Sequence, residues 1–259
     1  MTHSSLPAGS GGVTPKFAEL TSLYDPRGLL LFCGAVILAL AMLSLFAVAL
    51  NGPEMVDTSV RLDQPKLIFL QAFYMDREAS LPTFVNYSLL VLASGLIFLV
   101  ARLAFYYGNA WRFHWLLLGF IFVFLSFDEA AQMHEKLVQP VRNTLNTTGI
   151  FHFAWIIPGL AFVAVVGVTF MNFLRALPDR IGLLICVAGA IYVGGAIGVE
   201  AVGGLTVTTG DRQSWAYVLA VTVEETLEML GITVFCAALL QMISSGLHLQ
   251  HGYFSGDDS

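Results

Sequence analysis

Apolar positions fall in long blocks along this chain rather than in strict alternation, and the blocks set the elements. Residues 29–50, 87–105, 114–127, 156–173 and 181–207 are nearly continuous apolar stretches, and 215–243 is apolar on both sides of three acids. With their polar ends included, each reaches the roughly 20 residues that a helix needs to cross a bilayer. The pattern predicts an all-α polytopic membrane protein, a bundle of six transmembrane helices spanning about 29–50, 83–105, 114–137, 151–173, 181–207 and 215–243. The first block is too long, and begins too far in, for a cleaved signal peptide, so it is expected to stay attached. Residues 1–28 and 244–259 are rich in small and polar residues and predict flexible tails around a 29–243 transmembrane domain.

Between the first two blocks lies PKLIFLQAFYMDREASLPTF, whose apolar part is too short to cross. It is expected to lie against the membrane or to form a lid. Ser80 followed by Pro82 and Thr83 predicts a helix start. Asp76, Arg77 and Glu78 are expected to pair locally. In the fifth block, Gly194 and Gly198 make a small-x-x-x-small pair that predicts close helix packing.

Composition agrees with a bilayer setting: 57 % of the residues are hydrophobic and 12 % charged, well below the roughly 25 % charged of soluble domains. Cys33, Cys186 and Cys236 all fall in apolar spans, which argues for packing residues rather than a disulfide framework. The net charge of -6 changes the picture through its location. Asp128, Glu129, Glu135, Glu200, Glu224, Glu225 and Glu228 lie within or at the ends of spans, with no Lys or Arg among them.

Six spans put both termini on one side. The third and fifth spans end on the other side and the sixth starts there, so all seven acids occupy one half of the membrane. At about 1.5 Å per residue, Glu224 and Glu228 lie roughly 13 to 20 Å in. Within VEETLEMLG, Glu224, Glu225 and Glu228 fall in an arc of roughly 100°. If the third span continues to residue 137, Asp128, Gln132 and Glu135 fall within roughly 60° of one another. Asp128 and Glu135 are then expected to face inward, with either Glu129 or His134 reaching in and the other left out.

An ionised carboxylate near the bilayer centre costs about 2.5 kcal/mol or more, and crowded carboxylates repel. Seven acids therefore require protons or cations among them. Carboxylates with imidazole and no thiolate form a ligand set for Fe, Mn or Zn. The candidate metal ligands are Asp128, Glu129, His134, Glu135, Glu200, Glu224, Glu225 and Glu228, with His152 as a further candidate near the same level; an aromatic-belt role competes for His152, which stands beside Phe151, Phe153 and Trp155. The set is similar in kind to that of carboxylate-bridged dinuclear bundles, which use Glu-x-x-His. This chain has no Glu-x-x-His, so those roles do not transfer.

The stretches DREASLPTF, LSFDEAAQMHE and VEETLEMLG resemble those of a group of uncharacterised bacterial polytopic membrane proteins, over most of the chain. That resemblance implies a bacterial source and no particular activity.

The leading expectation is an intramembrane carboxylate and histidine site holding a divalent metal ion, dinuclear Fe, Mn or Zn, and catalytic on a lipophilic small molecule: an oxidoreductase with iron, a hydrolase with zinc. A second is a cation- or proton-coupled transporter that uses the acids as a relay. A third is a non-catalytic subunit of a membrane complex, and homo- or hetero-oligomers are compatible with all three. Buried acids that only fix helix packing are the plain structural alternative. The lipid bilayer is the partner the pattern implies, and without a basic patch nucleic acid is not expected. The short segments 102–112 and 174–180 each carry two Arg, which predicts cytoplasmic termini in a bacterial inner membrane.

Overall fold

The computed structural model describes residues 25–56 and 65–244; most of the 1–28 tail and all but the first residue of the 244–259 tail lie outside them. Among the described residues there is no strand, and six helices are long and apolar enough to cross a membrane. The chain is an all-α polytopic bundle.

Helix α1, Pro26–Asn51, starts three residues earlier than predicted because Asp25 caps it, its carboxylate accepting from the Arg27 N–H, and Pro26 fits the first helical position. The short α2, Pro65–Phe73, is too brief to span. Asn51 fastens it to the end of α1 by donating to the Ala47 and Lys66 carbonyls. Helix α3, Leu81–Tyr106, opens on Ser80, whose hydroxyl accepts from the Thr83 N–H, as its sequence predicts.

The third span departs from expectation. Helix α4, Arg112–Ala131, stops at Gln132, which takes a left-handed conformation (φ 54°), and a separate polar helix α5, Met133–Leu145, follows. The Lys136 ammonium covers the freed Ala131 carbonyl at 2.6 Å, a C-terminal cap by a cation. Helix α6, Ile156–Ala176, begins five residues later than predicted, after a single tight turn at Gly149–Phe151.

The fifth span, Asp179–Thr209, is one crossing in three pieces: α7, Asp179–Val193, a wide π-helical turn, Gly194–Val199, and α8, Glu200–Thr209. Helix α9, Trp215–Ser244, carries three acids and is nevertheless the most buried crossing, 67 % of its apolar window being buried against 17 % for α6. The physical cause is the cost of acids in lipid, which drives the helix that bears them to the bundle centre.

Close approach of α7 and α9 depends on two glycines. A Cβ on Gly231 would meet the Tyr192 nitrogen at 2.8 Å and the Ala188 carbonyl at 2.9 Å, and one on Gly195 would meet the Glu224 carbonyl at 2.9 Å. The predicted pair plays no such part: a Cβ on Gly194 or Gly198 would meet nothing within 4 Å. The extra residue in the π turn rotates the glycine face, so Gly195 rather than Gly194 meets α9.

Candidate functional site

A cavity of about 570 Å³ runs inside the bundle, and Asp128, Glu129, His134, Glu135, Glu200, Glu224, Glu225 and Glu228 all line it. They arrive from four elements: α4, α5, the start of α8, and the middle of α9. His152 is not among the lining residues. Its ring packs edge-on against Phe153, its carbonyl accepts from the Arg142 guanidinium, and burial with the charges of Arg142 and Arg212 lowers its pKa.

The break at Gln132 changes which acids reach the cavity. On a continuous helix either Glu129 or His134 would be left out; with the chain turned at Gln132, both line the cavity together with Glu135. Asp128 is committed to His134, its Oδ1 accepting from the His134 backbone N–H at 2.9 Å and its Oδ2 lying 2.8 Å from Nδ1. A carboxylate on Nδ1 fixes the ring and leaves Nε2 as the nitrogen available to a cation. Burial disfavours the imidazolium, but the hydrogen bond to Asp128 and the charges of Asp128, Glu200 and Glu129 outweigh it and raise the pKa to about 9. At neutral pH the ring therefore holds its proton.

Asn86 of α3, which sequence reasoning passed over, ties α4 to α9. Its fully buried amide donates to Glu129 Oε1 at 3.1 Å and to Glu228 Oε2 at 3.2 Å. One amide group thus holds two carboxylates from different helices side by side. A lone amide in an otherwise apolar span was the available signal, since such groups need partners inside lipid. Trp155, at the start of α6, was missed too: its indole N–H donates to Glu200 Oε1 at 2.8 Å.

The loop before α3 also departs from expectation. Asp76 does not pair only with its neighbours; both of its oxygens accept from the Tyr217 hydroxyl of α9, at 3.1 and 3.2 Å, and Arg212 donates to that hydroxyl at 3.2 Å. Met75, Asp76, Glu78 and Arg212 line the cavity, so the loop closes over its mouth as a lid would. It is held there by the Met75 N–H on Ser44 and the Thr83 hydroxyl on the Arg77 carbonyl. Arg212 is a cation that the charge pattern alone did not place near the acids. Burial and the charges of Glu135 and Glu129 raise the Glu78 pKa to about 7.

Among the described residues, Ala79 (φ 56°), next to the lining Glu78, and Gln132 (φ 54°), two residues before the lining His134, are non-glycine residues with positive φ. Each is a conformation that costs about 1 kcal/mol or more, and such strain tends to collect at functional sites. The π turn leading into Glu200 is another such mark.

The donor set fits a divalent cation in kind. Glu200 Oε2 and Glu225 Oε2 are shut off from solvent with no hydrogen-bond partner, and buried carboxylate oxygens without donors call for a cation or a proton. As placed, no three His, Cys, Asp or Glu side chains among the described residues are gathered at metal-binding distances.

The chain belongs to the family described as a domain of unknown function, DUF8692, which matches residues 29–242. No curated protein and no solved structure matches it.

Proposed function

We propose that this member of the family is a membrane enzyme that holds a divalent cation at the acid end of its cavity and acts there on a lipophilic substrate. The observation that supports the reading is the cavity itself, in which carboxylates with unpartnered oxygens share one space with a long apolar lobe. Glu200, Glu224, Glu225 and Glu228, with Glu129, Glu135 and the Nε2 of His134, would hold one or two ions of Fe, Mn or Zn. Such an ion supplies Lewis acidity or, for iron and manganese, redox capacity. Asp128 orients His134, Asn86 positions Glu129 and Glu228, and Trp155 positions Glu200. The lid loop and the apolar walls limit water at the site. The resemblance to bacterial proteins and the arginine-bearing segments 102–112 and 174–180 support a bacterial inner membrane with cytoplasmic termini, the acids then lying in the outer half.

A second reading, a proton or cation relay, has one specific observation in its favour. A small polar pocket at the lid shares Asp76, Glu78, Glu135, Arg212 and Tyr217 with the main cavity, giving the buried acids a polar path to the aqueous side. The same path would deliver a cation to the site.

Elemental analysis of protein purified in mild detergent without chelator separates the two. About one to two equivalents of Fe, Mn or Zn per chain, lost in Glu224→Gln and Glu228→Gln while the melting temperature is kept, is the expected result. Wild type without metal even after reconstitution would sink the metal reading and direct attention to proton flux in liposomes.

A further inference from the structure

The acids occupy only one end of the cavity. From there it continues between α4, α6, α7 and α9 past Phe122, Val166, Phe170, Ile185, Ile232 and Phe235. On α6 the lining runs from Gly159 to Leu174, which at 1.5 Å per residue is about 22 Å of helix. A volume of about 570 Å³ drawn out over that length is a narrow channel, of a width that suits a hydrocarbon chain.

The walls of this channel are unequal. Helices α7 and α9 touch backbone to backbone at Gly195 and Gly231. Helices α4 and α6 meet through the rings of Phe124 and Phe162, tilted with centroids 6.1 Å apart and 46 % and 38 % exposed on the lipid side. Phe162 lines the cavity as well. Gly167 and Gly189 also line it, and a Cβ on either would meet nothing within 4 Å.

We propose that a single-chain lipophile enters from the bilayer between α4 and α6, past Phe124 and Phe162, and lies in the apolar lobe with its head at Glu200 and Glu225. The head is a hydrogen-bond donor without negative charge, a long-chain alcohol or protonated amine. The unpartnered Oε2 atoms of those two glutamates accept from it. A carboxylate or phosphate head would face nine acids, with only His134 and Arg212 to offset them among the lining residues. This inference rests on the lipophilic-substrate part of the function proposed above and not on the metal.

The test uses the full chain in phosphatidylcholine nanodiscs, both as purified and after chelator treatment, and measures retention of radiolabelled tetradecylamine, tetradecanol and tetradecanoate over protein-free nanodiscs. Expected are near-stoichiometric retention of the amine and the alcohol by chelator-treated protein and about tenfold weaker retention of the carboxylate. Gly167→Phe, which fills the lobe, is expected to lower retention about tenfold. Gly34→Phe, where a Cβ likewise meets nothing within 4 Å but which lies outside the cavity, leaves it unchanged. Equal retention of tetradecanoate overturns the head-group assignment. No retention, or retention undiminished in a Gly167→Phe protein that melts like wild type, overturns the site. Metal content read on the same samples keeps the two proposals apart: retained lipid without metal removes only the metal, and metal without retained lipid removes only the lobe.

Discussion

Two walls of one cavity are built on opposite principles. Between α7 and α9, glycine brings backbone against backbone, and the carboxylates of Glu224, Glu225 and Glu228 hang from this closely packed helix. Between α4 and α6 the contact is two exposed rings, and the facing glycine, Gly167, has open space around it. The difference teaches where precision is needed: the chemistry proposed among the buried charges would require fixed positions, whereas the proposed lipophile, passing in from the bilayer, would require a wall that yields.

The largest expected effect breaks the tight wall. Gly231→Ala places a Cβ 2.8 Å from the Tyr192 nitrogen and is expected to cost about 2 kcal/mol in spite of the better helix propensity of Ala. Gly167→Ala, on the loose wall, gains that propensity without a clash and is expected to stabilise by about 0.5 kcal/mol. Thermal melting of both variants in one detergent measures the contrast, and equal shifts would erase the distinction between the walls.

Next comes the tie that lets α4 serve both walls. Asn86→Leu removes the donor shared by Glu129 and Glu228 and is expected to lower stability by about 2 kcal/mol. Ser88→Ala, two residues on and about 200° round the helix, whose hydroxyl donates to the Phe84 carbonyl of its own helix, should stay within about 0.5 kcal/mol. A loss at Ser88 as large as that at Asn86 would mean that α3, and not the shared amide, is the sensitive feature.

The smallest effect sits at the mouth. Because the Glu78 pKa is raised from 4.5 to about 7, the folded protein holds this proton more tightly than the unfolded chain does. Stability therefore falls as pH rises through that window. Glu78→Gln is expected to remove the fall, leaving the variant roughly 1 kcal/mol more stable above pH 7 after allowance for solvent screening and unchanged near pH 4.5. A pH profile parallel to that of wild type would show that Glu78 is not desolvated at the mouth.

Much of the fold could be read from hydropathy, because a lipid-facing helix must be apolar along its whole length and the blocks of the sequence are those lengths. The start of α3 at Ser80 was legible for a local reason, a hydroxyl and a proline in the right order. The end of α4 was not. No glycine or proline marks residue 132, and the left-handed turn at Gln132 is held by contacts made after it, His134 on Asp128 and Lys136 on the Ala131 carbonyl. The glycine that meets α9 was shifted by one because a π turn cannot be read from a period of 3.6.

The sequence by itself determined six crossings and, through their alternating directions, the expectation that the seven acids share one level, since direction and depth follow from counting residues. Only the tertiary structure decided that one asparagine would hold two of those acids, that Asp76, Glu78 and Arg212 would come to them from distant loops, and that an apolar lobe would open beside them. Depth is a property of one helix at a time, whereas a cavity belongs to the spaces between helices, and those are set by long-range packing that no local pattern records.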